Sequence, residues 1–149
     1  MPDLPGGIPL PPHAYVPGQN ARHPEDWFDE IKSSVETGMS VNALAQTQAF
    51  QAGLAYLEAG YFWECHEVLE AVWLQTPEGT SEREVVQALI QLANAQLKVR
   101  MHKPKAARRL CKMVEGHLDR LSGEDAILGQ RPQNVQVMVD RVMQSLLCE

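Results

Sequence analysis

Apolar residues recur at three- and four-residue spacing along most of this 149-residue chain, and the runs end at glycine, proline or small polar residues. That period belongs to α-helices with one buried stripe. A first short stripe, Phe28, Ile31 and Val35, starts behind Pro24 and the acids Glu25, Asp26, Asp29 and Glu30, which suit a helix N-terminus, and it stops at Gly38. Ser40 or Asn42 can cap a second helix with Leu44, Phe50, Leu54 and Leu57 on its core face, and Gly60 can end it in the left-handed conformation. A central helix follows over 61–75, closed by Pro77 and Gly79. Thr80 or Ser81 begins a long helix to about 102, with a broad apolar face (Val86, Leu89, Ile90, Ala93, Leu97) and a separate polar stripe of Gln87, Gln91, Asn94 and Lys98. Pro104 opens the next, whose core residues are Ala107, Leu110, Val114, Leu118 and Leu121 with Cys111 beside them. After a loop over 123–129, a last helix from 132 carries Val135, Met138, Val142 and Leu146. No stretch alternates with period two for long enough to make a strand. The expected fold class is all-α, an irregular bundle of five or six helices.

Residues 1–24 break this pattern, for they hold seven of the ten prolines. Restricted φ and missing donors make such a segment extended and polyproline-like. Ile8, Leu10, Tyr15 and Val16 make it too apolar for a free tail, so it is expected to pack across a single helical domain of residues 25–149 and to bring His13 and His23 near it.

Within the central helix, YFWECHEVLEAVW interleaves rings, carboxylates and a histidine. His66, Glu70 and Trp73 (i, i+4, i+7) share a narrow face, Phe62 and Leu69 flank it, and Glu67 points about a quarter-turn away. The short turn before the next helix makes the two antiparallel neighbours. Unpaired polar groups would cost about 1–3 kcal/mol each on burial, so His66 and Glu70 are expected to meet the polar stripe, with Gln91 as direct partner, Gln87 beside it and Trp73 as apolar wall. Gly53, Tyr56 and Pro77 also fall where a tetratricopeptide unit places Gly, Tyr and Pro, but the pattern does not repeat 34 residues on.

A helix reading FWECHEVLEAVW, followed by one carrying LIQLA over 89–93, resembles the bacterial and archaeal domain-of-unknown-function family 309. That family's mark, His-x3-Glu-x2-Trp, is matched by His66, Glu70 and Trp73, and the resemblance runs from about 50 to 121. LPPHAYVPGQNARHP is similar to a leader found in some members. The resemblance implies an all-helical fold and a suggested active site at the motif, with no reaction attached.

Three chemistries fit the motif. A structural or interaction site is favoured, in which His66 and Glu70 set the packing of two helices and a helical groove meets a protein or small-molecule partner. An enzyme is the alternative, with His66 and Glu70 as an acid–base pair and Glu67 as a neighbouring base. Metal assistance is weaker: HEVLE resembles the zincin HExxH with the second histidine replaced by Glu70, and completing a shell would require His13, His23 or His102. No metal ligand set is therefore assigned, and the residues name no cofactor. Cys65 directly precedes His66, and adjacent helical residues do not face each other, so no activated nucleophile is evident.

Charge adds a further alternative. The net charge is −6, yet residues 58–84 hold seven acids and one base while residues 98–112 hold seven bases and no acid. The basic run could hold an anion, but no aromatic is interleaved to stack bases, which argues against nucleic acid. No apolar run reaches the roughly 20 residues of a membrane span. Three distant cysteines, with no signal peptide ahead of them, suit reduced thiols in a cytoplasmic protein.

Overall fold

The computed structural model describes residues 3–121 and 126–147. Seven helices are present among them: α1 (Asp29–Lys32), α2 (Val41–Ala45), α3 (Gln48–Ala59), α4 (Phe62–Trp73), α5 (Ser81–Arg100), α6 (Pro104–Asp119) and α7 (Pro132–Leu146). No strand interrupts them among the described residues, so the all-α bundle is the observed fold. The count exceeds five or six because one expected helix is divided in two, and another is cut short. After α1, the Ser33 and Ser34 hydroxyls donate to the carbonyls of Glu30 and Ile31, and Ser34 Oγ also accepts from the amide of Ala49. Such local bonds compete with helix continuation, and the stripe of Phe28, Ile31 and Val35 survives with only one helical turn. Thr47 divides the second stretch: its hydroxyl donates to Leu44 O and accepts from Phe50 N–H, ending α2 and capping α3.

The other boundaries follow local chemistry. Gly60, at φ 87°, closes α3, with Tyr61 N–H bonded to Tyr56 O and Gly60 N–H to Leu57 O. Thr80 caps α5, and Pro104 and Pro132 occupy the first turns of α6 and α7. α4 packs against α3 and α5 and touches α1, while α5 packs against α6 and α7. Leu110 and Met138 are only partly buried, and Cys111 and Val139 lie deeper than either. Part of the expected 123–129 loop and Cys148 lie outside the described residues.

The proline-rich segment lies along α3 and α4. Ile8, Pro11 and Val16 are buried, and Tyr15 meets Trp63 edge-on with centroids 5.2 Å apart. The fully buried Tyr56 donates its hydroxyl to Pro9 O at 2.6 Å, and the Gln19 amide donates to Arg100 O at 2.6 Å. Burial, reinforced by the carboxylate of Glu64, raises the Tyr56 phenol well above its ordinary range.

Candidate functional site

α4 presents two polar faces with different fates. Glu64 stands in line with Val68 and Val72 (i, i+4, i+8) and is buried like them. Its Oε2 accepts from His23 Nε2 at 2.6 Å and from the Tyr15 amide at 2.8 Å, while Oε1 is buried without a partner. His23 is sealed among aromatic rings: His13 at 4.7 Å, Phe28 at 5.8 Å, Trp27 at 6.1 Å and Trp63 at 6.2 Å between centroids. A carboxylate removed from water must be paired, and the leader supplies both donors. The leader histidines thus approach α4 at Glu64 rather than at His66. The sequence signal for this junction was available: a glutamate in register with two valines on an amphipathic helix has to find a buried partner.

The motif face is more open. His66 Nε2 lies 3.2 Å from Glu70 Oε2, with the side chains 27% and 56% exposed. Glu67 turns toward α1, where Lys32 Nζ donates to its Oε1 at 2.7 Å. A shallow cleft of about 190 Å³ is lined by Lys32, Glu67, Glu70, Ala71 and Leu74. The expected bond to Gln91 is absent: among the described residues Gln91 makes no hydrogen bond to His66 or Glu70, and His66 Nδ1 is buried without a partner. The polar stripe containing Gln87 and Gln91 is only half-buried, so it has no need of partners on α4, and a largely exposed Glu70 satisfies itself in water. Trp73 is half-buried and carries Arg83 over its ring at 3.9 Å, while Trp63 is the ring that meets His66, at 6.4 Å. Phe62 is buried under Arg100, whose guanidinium carbon lies 4.3 Å above its ring.

His66, Glu67 and Glu70 offer ligand atoms that all lie within 4.8 Å of one another. The set is nevertheless a poor fit to a resident ion. The Lys32 ammonium already neutralises Glu67, and His66 Nδ1 lacks the acceptor that a metal-bound imidazole uses through its second nitrogen. His102 is exposed in the turn after α5 and does not join them. Cys65 is not a nucleophile for this face either. It is fully buried, and burial, with the Glu64 charge beside it, pushes its thiol far above the usual range. In the basic run, Arg109 and Lys112 are exposed, Arg108 is half-buried, and none pairs with Glu64 or Glu67.

The helical hairpin, with its buried glutamate and half-open His-Glu face, lies in the part of the chain that is similar to a known family. Residues 50–110 match the family described as Domain of unknown function (DUF309). The match starts at Phe50 in α3, covers α4 and α5, and ends at Leu110 in α6, so both faces of α4 lie within it. No curated protein and no solved structure matches the chain.

Proposed function

We propose that this DUF309-containing chain is a small helical binding module, with its recognition face on α4 at His66, Glu67 and Glu70 and its ligand a basic side chain of a protein partner. One observation carries the reading: the face already holds an ammonium, Lys32 on Glu67 at 2.7 Å, next to Glu70, a 56% exposed carboxylate whose one ion-pair partner among the described residues is His66. A guanidinium could pair with Glu70 while its stem lies on Ala71 and the exposed Leu74. The α3–α4 hairpin then acts as a lone tetratricopeptide-like unit, with residues 3–24 clasped behind it. Two buried, unbridged thiols, Cys65 and Cys111, support a cytoplasmic setting, and among the described residues no helix is long and apolar enough to cross a membrane.

The test is an amide NMR titration of the full chain with acetyl-Leu-Arg-amide against acetyl-Leu-Gln-amide. Saturable shifts over residues 66–74 with the arginine peptide alone, abolished by Glu70→Gln, are expected. Equal response to both peptides, or an unchanged response in Glu70→Gln, would refute the reading.

A second reading has its own support. A carboxylate at one imidazole nitrogen and an unpartnered second nitrogen is how an oriented general base is built, as at Glu70–His66. Against it, His66 Nδ1 is sealed from solvent and no nucleophile adjoins it. Hydrolysis of p-nitrophenyl acetate that disappears in both His66→Ala and Glu70→Gln would favour this enzyme reading over the binding module.

A further inference from the structure

Away from the α4 motif face, a pocket of about 230 Å³ opens where the start of α4 meets the ends of α5 and α7. Its floor is apolar, made by Phe62, Val99 and Val142, and its polar lining comes from Gln96, Arg100, Arg141 and Ser145, whose hydroxyl donates to Val142 O. The pocket shares no residue with the cleft beside Glu70.

Among the described residues, neither Arg100 nor Arg141 forms an ion pair. Arg100 is also held in place by neutral groups: it donates through Nη1 to Gly60 O, lies over the Phe62 ring at 4.3 Å, and has its own carbonyl bonded by the Gln19 amide at 2.6 Å. None of these contacts cancels the charge, and together they fix the guanidinium at the pocket before any ligand arrives. Gln96 adds a third unmet group, for its Oε1 is buried without a donor. Gln96 is a lining residue, and rotation of its side-chain amide can bring this unmet acceptor to a ligand hydroxyl.

We propose that this pocket binds a short-chain, branched 2-hydroxycarboxylate. The carboxylate faces Arg100 and Arg141, the branched carbon tail covers Phe62, Val99 and Val142, and the hydroxyl donates to Gln96. Arginine is suited to the first contact because its fork matches both carboxylate oxygens. At about 230 Å³ the pocket suits a small acid rather than a large ligand.

The experiment is titration of the full chain with 2-hydroxyisovalerate, isovalerate and inorganic phosphate, followed by amide NMR. The expected result is saturable shifts at Phe62, Val99 and Val142 with 2-hydroxyisovalerate and weaker binding of isovalerate. Arg141 is exposed on α7, so Arg141→Gln leaves the fold intact, as its spectrum will show, and weakens 2-hydroxyisovalerate at least tenfold. Gln96→Met should erase the preference for the hydroxy acid while retaining isovalerate binding. No saturable binding, equal binding in Arg141→Gln, or phosphate binding as tight as 2-hydroxyisovalerate would each overturn the proposal.

Discussion

His23 and Glu64, 41 residues apart in the chain, meet at 2.6 Å with side chains 1% and 0% exposed. The pair joins the leader to α4, and removing one member leaves the other buried without its partner. His23→Ala is therefore expected to destabilise the protein by about 3 kcal/mol in urea unfolding. Tryptophan emission should redden at the same time, because Trp27 and Trp63 pack on His23. A His23→Ala variant within about 0.5 kcal/mol of the parent would show that the pair does not anchor the leader.

His66→Ala should behave differently, although it changes the residue that the sequence marks most clearly. Its partner Glu70 is mostly in solvent, and exposed pairs at i, i+4 contribute about 0.3–0.5 kcal/mol. A loss below about 1 kcal/mol is expected, measured in the same urea experiment. A loss as large as that of His23→Ala would return His66 to a structural role.

Gly53 sets how closely α3 approaches α4. A methyl group there would lie 2.5 Å from Leu69 Cγ, and Leu69 is fully buried. Alanine would gain up to about 1 kcal/mol of helix propensity, yet overpacking of about 1–3 kcal/mol opposes it. Gly53→Ala should lower the melting temperature, and Gly53→Ala with Leu69→Ala should lose less than the sum of the two single changes. Strict additivity would show that the helices can part without cost.

The buried thiols predict a weak alkaline flank. Burial and the Glu115 charge push Cys111 up to about 11, whereas an unfolded thiol titrates near 8.5. The folded state thus favours the protonated thiol. Its contribution is fully present below about pH 8.5 and is lost as the pH rises toward 11. Cys65 acts in the same direction. Urea midpoints should fall between pH 8 and pH 10.5, and less so in Cys111→Ala. Iodoacetamide at pH 8 should label Cys65 and Cys111 only after urea is added, as read by peptide mass. Labelling of either in the native protein would contradict their burial.

The sequence made legible whatever one helix decides by itself. Thr80, Pro104, Pro132 and Gly60 mark ends that the structure keeps, and Val86, Leu89, Ile90, Ala93 and Leu97 of α5 are buried. The short breaks at Ser34 and Thr47 escaped because side-chain bonds to the backbone leave no periodic trace. The Gln91 expectation failed for a different reason. It assumed that a polar line on each helix must be buried, and half-exposed lines carry no such obligation. At the His23–Glu64 junction the register of Glu64 with Val68 and Val72 marks a carboxylate that must be buried and paired, while the identity of the partner, His23, comes only from the fold.

The clasp between leader and hairpin also orders events in time. Its bonds span 41, 47, 49 and 81 residues, from His23 to Glu64, Pro9 to Tyr56, Tyr15 to Glu64, and Gln19 to Arg100. On a ribosome the leader emerges before the hairpin, yet it has nothing to bind until α3 and α4 have left the exit tunnel, and its last bond waits for the end of α5. Loop-closure entropy sets the same sequence in a refolding tube: α3, α4 and α5 assemble from near neighbours, and the leader closes over them afterwards. Ile8 and Val16, buried at the end, are therefore the apolar side chains that a nascent chain leaves in water longest.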